Sequence, residues 1–168
     1  MIRAALTALL LLTACGGAPA ATTEAAPDAL APYGPFDVSE VVLRGAGGQA
    51  VDVPVYVADT QAERARGLMF RQDLRADAGM VFTFPDLHTG AFYMKNTLIP
   101  LSIAFYGPDG RVRRVLDMQP CEADPCELYD PGVEYVGALE VNQGFFDQIG
   151  LDEAWTVELP DDLPEASS

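Results

Sequence analysis

The chain has 168 residues, a length typical of one domain, and 49% of them are hydrophobic, which is enough for a globular core. It carries 25 acidic side chains against 10 basic ones, for a formal net charge of −15. Such a surface repels phosphate backbones, so nucleic acid is excluded from the expected partners.

The first residues resemble a bacterial export signal. Arg3 precedes an apolar run over residues 4–12, which is shorter than the roughly 20 residues that span a bilayer. The run ends in Leu-Thr-Ala-Cys, similar to the lipobox of bacterial lipoproteins. Residues 1–14 are therefore predicted to be a lipoprotein signal peptide, with Cys15 as the lipid attachment site. The alternative is an ordinary signal peptide cut near residues 18–20.

The segment after Cys15 is rich in Ala, Pro, Gly and Thr and has few large apolar side chains. It cannot bury enough surface to offset its ordering entropy, so residues 15–35 are predicted to be a flexible tether. The folded domain is expected over 36–160 and a disordered tail over 161–168. Because Gly16 follows the cysteine, resemblance to the sorting rule of two-membrane bacteria favours the outer membrane, with the domain facing the periplasm.

The domain has mainly the pattern of strands. Residues 51, 53, 55 and 57 are all valine, the period-two pattern of a half-buried strand. Pro54 lacks an N–H group and indicates an edge position for that strand. Further strands are predicted over residues 36–44, 79–84, 91–95, 98–106, 133–141 and 154–159, with a hairpin turn at 108–110.

Two short helices interrupt the strands. Thr60 and Glu63 form a capping box, in which each side chain satisfies a free amide of the other, and Gly67 is a natural terminator. A second helix is predicted to begin at Asn142, its N-cap, and to end at Gly150. The expected fold is a mainly β, compact barrel-like or sandwich domain with two short helices.

The cysteines leave one pair once Cys15 carries lipid. Cys121 and Cys126 are predicted to form a disulfide in an oxidising compartment. A redox dithiol is the alternative, but four intervening residues and acidic neighbours disfavour a thiolate. His88 is the only histidine, so a histidine-based metal site is excluded and no metal or cofactor is expected.

Five motifs occur in order along the chain: GLMFR (67–71), GMVFTF (79–84), FYMKNTLIPLSIAF (92–105), CEADPCELY (121–129) and ALEVNQG (138–144). Together they resemble the DUF192 family of small bacterial and archaeal domains. The resemblance implies a compact, mostly β, often exported domain and no particular activity. The family pattern has Trp in place of Tyr93 and Asp in place of Ser102, which removes an acid that could pair with Lys95.

The chain has a single lysine, Lys95, between two strand patterns, although it has nine arginines. This choice indicates a place where a compact, rotatable ammonium is needed. Alternation along the strand puts Tyr93 on the same face as Lys95. We predict that Arg71, Tyr93, Lys95 and Asn96 bind a small anionic or glycan-like ligand.

Other interpretations remain open. Lys95 could reach from a strand end to water. In an enzyme, burial would lower its pKa and make it a base or nucleophile, although no second catalytic group is evident. A structural or assembly protein of the envelope is the third alternative. We expect a monomer whose partners are the membrane, through its lipid, and a small-molecule or glycan ligand.

Overall fold

The computed structural model describes residues 30–167. The predicted signal peptide, Cys15 and residues 15–29 of the predicted tether lie outside this range. Within it the chain forms nine strands and two short helices, α1 (Gln61–Arg66) and α2 (Phe145–Ile149). The strands are β1 (Asp37–Arg44), β2 (Ala50–Ala58), β3 (Gly79–His88), β4 (Phe92–Tyr93), β5 (Leu101–Tyr106), β6 (Val112–Met118), β7 (Leu128–Tyr129), β8 (Tyr135–Asn142) and β9 (Thr156–Glu158).

Seven strands form one curled sheet in the order β6-β5-β8-β3-β2-β1-β9, and β4 pairs with β7 separately. Neighbouring strands of the large sheet are antiparallel except β2 and β3, which are parallel and are joined by the crossover that contains α1. Arg111 bridges Thr156, which brings the β6 and β9 edges together at one end. The predicted mainly β, barrel-like class with two short helices is confirmed.

Both faces of the large sheet are buried at its central strands, β5, β8 and the first half of β3. One face forms an interior layer that includes Val53, Val55 and Val57, as the period-two pattern predicted. The other forms a covering layer that includes Tyr56 and Phe82. All six residues of β5 are buried, because a strand covered on both faces has no polar side. The covering layer therefore depends on segments outside the sheet to shield it from water.

The N-terminal end of the described chain supplies part of that shield. Leu30 is only 9% exposed, and the Tyr33 hydroxyl donates to the Met69 carbonyl at 2.5 Å. Residues 30–35 were expected to belong to the tether, but here they pack on the domain. The packed chain thus begins before residue 36, because two large side chains can bury apolar surface there.

The C-terminal end is also held. The Ser167 amide donates to the Asp59 carbonyl at 2.8 Å, and Arg64 donates to the Ser167 carbonyl at 2.6 Å. These contacts join the end of the described chain to the start of α1. The tail expected to be disordered over 161–168 is therefore tied down at residue 167, by a distant backbone carbonyl and a distant arginine side chain that the sequence pattern does not reveal.

The predicted start and end of α1 are confirmed. The Glu63 amide donates to Thr60 Oγ1 at 3.2 Å, and Glu63 Oε2 accepts from the Thr60 amide at 3.1 Å. Gly67 is the C-cap and donates to the Glu63 carbonyl at 2.8 Å. All of these partners lie within four residues, which is why sequence alone located the helix.

The edge position predicted for Pro54 is wrong. The strand that contains it, β2, lies between β1 and β3. Pairing with β3 covers only residues 55–58, so on that side the sheet needs no N–H group from Pro54. The proline is tolerated because the parallel partner begins one residue later.

The N-cap predicted for the second helix is also wrong. Gly144, with a left-handed φ of 85°, is the N-cap of α2, and Gly150 ends it as predicted. The Asn142 side chain instead donates to the carbonyls of Leu74 at 3.1 Å and Arg75 at 3.0 Å. The side chain satisfies backbone groups of a distant loop that the sheet brings beside it.

No helix in residues 30–167 has the length and apolar composition of a membrane-spanning segment.

Candidate functional site

A cavity of about 550 Å³ opens on the covering layer. Its wall is built by α1 with the loop that follows it, the second half of β3, strand β4 and strand β8. A volume of this size suits a small organic molecule. We call it the aromatic cavity, because its wall includes Phe82, Phe84, His88, Phe92, Tyr93 and Tyr135.

The rings of the aromatic cavity pack on one another. Phe82 and Phe92 meet edge to face with centroids 5.1 Å apart, and Phe84 meets Tyr135 in the same way at 5.4 Å. His88 is exposed and stacks on Phe84, with the ring centroids 4.5 Å apart. Edge-to-face and stacked rings hold each other in place, so the wall is a preformed surface for a flat or ring-shaped ligand.

Glu140 is the buried carboxyl of the aromatic cavity. Its residue is 5% exposed, and its neighbours across the sheet are Met80 on β3 and Ile103 on β5. Among residues 30–167 it has no hydrogen-bond or ion-pair partner. Burial raises the pKa of Glu140 to about 8, because an apolar surrounding penalises the ionised form. The cavity wall thus contains a carboxyl group that is mostly protonated at neutral pH.

Two arginines of α1 also line the aromatic cavity. Arg64 donates to the Thr83 carbonyl at 3.0 Å, and its guanidinium lies 5.1 Å from the centre of the Phe84 ring. Arg66 is exposed and lies 5.6 Å from the centre of the Tyr33 ring. These guanidinium groups make the side of the cavity formed by α1 electropositive in an otherwise acidic protein.

Of the four predicted ligand-binding residues, the structure places only Tyr93 in the wall of the aromatic cavity. Arg71 lies over the rings of Tyr33 and Tyr56, 4.6 and 5.1 Å from their centres. It therefore serves as part of the cover over the sheet. Contact between Arg71 and a ligand stays a prediction.

Lys95 belongs to a different cluster. Its ammonium donates to Asp124 Oδ2 at 2.6 Å, with 45% of the lysine side chain exposed. This hydrogen bond raises the pKa of Lys95. A catalytic base at this position would need a lowered pKa, so that alternative is wrong for Lys95, whose ammonium is partly exposed and paired with a carboxylate.

Asn96 connects the two segments through its backbone. Its φ of 57° is left-handed, a conformation that asparagine tolerates better than most residues. Its amide donates to the Cys121 carbonyl at 2.8 Å, and its carbonyl accepts from the Phe70 amide at 2.8 Å. Next to it, the carbonyl of Thr97 accepts from the Cys121 amide at 3.3 Å. Asn96 is thus a junction between three loops.

Cys121 and Cys126 form the disulfide that the sequence predicted. They are five residues apart, and Asp124 lies between them. The bond closes the loop that pairs with Lys95 and receives the backbone of Asn96. The disulfide loop therefore braces the segment that ends in Thr97, a residue of the cavity wall.

Ser102 occupies the position where the family pattern has an acid that could pair with Lys95. In this structure Ser102 contacts other residues and not Lys95. Its hydroxyl donates to Asp117 Oδ1 at 2.6 Å and accepts from the Gly144 amide at 3.2 Å. Asp117 lies directly opposite on β6. This polar group supports the start of α2, and the acidic partner of Lys95 is Asp124 instead.

Glu140 was not among the predicted site residues. A signal was present, because ALEVNQG places one acid inside a strand whose only other polar residue is Asn142 at its end. A buried strand excludes an ionised side chain unless the fold has a use for it. Because the chain has 25 acidic residues, one more acid in a motif did not distinguish Glu140 from the others.

Comparisons with known proteins identify relatives by sequence and by structure. The DUF192 family model, described as an uncharacterized ACR, matches residues 42–159. No match was found among curated proteins.

Two solved structures are similar to the chain. One is a protein of unknown function from Novosphingobium aromaticivorans DSM 12444, with 31% identity, a TM-score of 0.70, and coverage of 85% of this chain and 100% of that one. The other is a candidate transcription regulator from Sinorhizobium meliloti 1021, with 28% identity, a TM-score of 0.69, and coverage of 73% and 94%.

Proposed function

The chain belongs to the DUF192 family, and on that premise we propose that it is an envelope lipoprotein, anchored through Cys15, whose domain binds a small anionic or glycan-like ligand in the aromatic cavity. One observation carries the binding part of the proposal. The wall of the cavity is preformed and rich in aromatic rings, yet it contains the carboxyl of Glu140, which lacks a hydrogen-bond partner among the described residues. Such a group is costly unless something satisfies it.

The composition of the wall supports the ligand class. Ring faces such as those of Phe92 and Tyr93 stack on flat apolar surfaces, including one face of a sugar ring. Arg64 and Arg66 attract anionic groups and repel cations. A ligand with a ring and an acidic or hydroxyl group would satisfy both features.

The proposal places the ligand in the aromatic cavity and not beside Lys95. Tyr93 is common to the predicted site and the cavity wall. Lys95 already has a carboxylate partner in Asp124 at 2.6 Å. A ligand anion at Lys95 would have to compete with that carboxylate, whereas the aromatic cavity has no such competitor at Glu140.

The enzyme and regulator alternatives have less support. A base or nucleophile at Lys95 requires a lowered pKa, and the pKa of Lys95 is raised by Asp124. A role in transcription, suggested by the description of one similar structure, would require contact with DNA or with a DNA-binding partner. A net charge of −15 opposes direct contact with phosphates.

A blocked-cavity variant tests the binding proposal. Ala65 and Ala62 are both exposed on α1, but only Ala65 lines the aromatic cavity. Full-length protein in mild detergent is titrated with benzoate, benzamidine, glucuronate and glucosamine, and backbone amide shifts are recorded by NMR. We expect saturable shifts at Gly67, Phe92 and Thr97 for at least one anion or sugar.

Ala65→Trp should abolish those shifts, and Ala62→Trp should keep them, because both add the same ring to the same helix. The absence of saturable shifts for all four compounds would overturn the proposal. Equal binding to the two tryptophan variants would also overturn it, because the ligand would then lie outside the aromatic cavity.

A further inference from the structure

We propose that Glu140 acts in the aromatic cavity as a neutral acid that donates a hydrogen bond to a carboxylate oxygen of the ligand, so that the cavity selects carboxylates over cations. This inference rests on the proposed function and specifies its ligand chemistry. It names a binding residue that the sequence motifs did not single out. It also makes ligand binding depend on one proton.

The geometry leaves Glu140 with few partners inside the protein. Its neighbours on β3 and β5 are Met80 and Ile103, which offer no polar atoms that could donate to it. Its residue is 5% exposed and lines the aromatic cavity. A partner must therefore come from the cavity, either water or a ligand.

The other ionisable groups of the wall decide the sign of the ligand. The two tyrosine hydroxyls already donate to backbone carbonyls, that of Tyr135 to Gly90 at 2.7 Å and that of Tyr93 to Ala65 at 3.3 Å. Asp86 and His88 are exposed. The two arginines disfavour a cation near the wall. The titratable or charged groups that face the cavity besides Glu140 are Arg64, Arg66, Asp86, His88, Tyr93 and Tyr135.

The proton has a defined place in the complex. Burial raises the pKa of Glu140 to about 8, whereas a ligand carboxylate in water has a pKa near 4. The proton therefore stays on Glu140 and is shared in a short O–H···O⁻ hydrogen bond, which is stronger than a neutral one. Loss of that proton would place two carboxylates side by side and expel the ligand.

The pH dependence of benzoate affinity tests this inference. Full-length protein in mild detergent is titrated with benzoate at pH 7.0 and 9.5, and the fold is checked at both by circular dichroism. Because only protein with protonated Glu140 binds, the dissociation constant should rise about 30-fold between these pH values. Benzoate itself stays anionic throughout.

Two variants assign the effect to Glu140. Glu140→Gln keeps N–H donors but cannot ionise, so benzoate should bind it with similar affinity at both pH values. His88→Gln removes the only histidine and should keep the pH dependence of the wild type. Benzamidine, a cation with the same ring, should bind the wild type at pH 7.0 at least tenfold more weakly than benzoate.

The outcomes separate the inference from the proposed function. If the dissociation constant for benzoate is the same at pH 7.0 and 9.5, the cavity still binds ligands but Glu140 is not the neutral donor. The same conclusion holds if benzamidine binds more tightly than benzoate. If pH dependence persists in Glu140→Gln, another group carries the proton and the inference fails. If none of the compounds binds, the proposed function fails, and the inference fails with it.

Discussion

The ammonium of Lys95 lies 2.6 Å from Oδ2 of Asp124, a residue inside the loop that the Cys121–Cys126 disulfide closes. The single lysine of the chain thus links the segment after β4 to the cysteine loop. The pair is exposed on both sides, and pairs of this kind add little to stability. Its effect is to position the loop, together with the backbone bonds from Asn96 and Thr97 to Cys121.

Lys95→Met and Tyr93→Ala should separate the cluster at Lys95 from the aromatic cavity. Lys95→Met should leave the dissociation constant for benzoate within about twofold, whereas Tyr93→Ala should raise it about fivefold through loss of a ring contact. Isothermal titration calorimetry on both variants measures this. A large loss in Lys95→Met alone would return the ligand to the position first predicted beside Lys95. The melting temperature of Lys95→Met should differ from that of the wild type by no more than about 3 °C, because an exposed ion pair adds little to stability.

Replacing both Cys121 and Cys126 by serine should lower the melting temperature but keep the fold. A disulfide that closes so short a loop contributes about 2 kcal/mol by chain entropy, or about 4 to 8 °C for a protein of this size. Peptide mapping without reductant should find the bridge in the exported wild type. Two free thiols there, or an unfolded serine variant, would contradict the prediction.

Glu140 should make the domain less stable as pH rises. Its pKa is raised to about 8 in the folded state from about 4.3 in the unfolded chain. The folded state therefore binds the proton more tightly, and stability is lost as pH rises from the unfolded pKa to the folded one. Between pH 5 and 8 the wild type should lose on the order of 3 kcal/mol more than Glu140→Gln.

Urea unfolding at pH 5 and 8 measures this difference. The comparison with Glu140→Gln is needed because other carboxylates also titrate near pH 5 and contribute equally to both proteins. Parallel changes in the two proteins would mean that Glu140 is ionised in the folded state at neutral pH.

Two buried tyrosines should respond in opposite ways to loss of the hydroxyl. The Tyr106 hydroxyl is buried and has no hydrogen-bond partner among residues 30–167, whereas that of Tyr135 donates to the Gly90 carbonyl at 2.7 Å. Tyr106→Phe should stabilise the domain by about 1 kcal/mol, and Tyr135→Phe should destabilise it by about 1 kcal/mol. Urea unfolding at pH 7 compares them. Destabilisation by Tyr106→Phe would indicate a bound water at that hydroxyl.

Cys15→Ala should leave a protein that is not lipidated. The basis is the short apolar run that ends in Leu-Thr-Ala-Cys. Labelled fatty acid should be incorporated into the wild type and into Cys126→Ser, but not into Cys15→Ala, and only the last should leave the membrane fraction. Normal labelling of Cys15→Ala would end the lipoprotein proposal.

Several features of the fold depend on residues close together in the chain, and sequence alone predicted them. The α1 capping box joins Thr60 to Glu63, and Gly67 ends the helix. The turn at 108–110 joins two antiparallel strands, β5 and β6. In each case the stabilising contact spans five residues or fewer, so neighbouring residues in the sequence are enough to predict it.

Two predictions from the local pattern were wrong, because the strand order and the loop contacts depend on residues far apart in the chain. Pro54 has the features of an edge residue, yet β2 lies inside the sheet because β3 pairs only beyond it. Asn142 has the features of a helix cap, yet its amide is 3.1 Å from the carbonyl of Leu74, 68 residues away. The local preferences of proline and asparagine do not take account of a distant strand or loop that only the folded structure brings beside them.

The sequence by itself determined the mainly β class, the short helices, the disulfide pair and the family, because each depends on local periodicity, local caps or ordered motifs. Only the tertiary structure decided that Lys95 pairs with Asp124 and that Glu140 lies in the wall of the aromatic cavity. A side chain's environment is set by the strands and loops that surround it. For Glu140, apolar neighbours from two strands raise the pKa of a carboxyl that in sequence is one acid among 25.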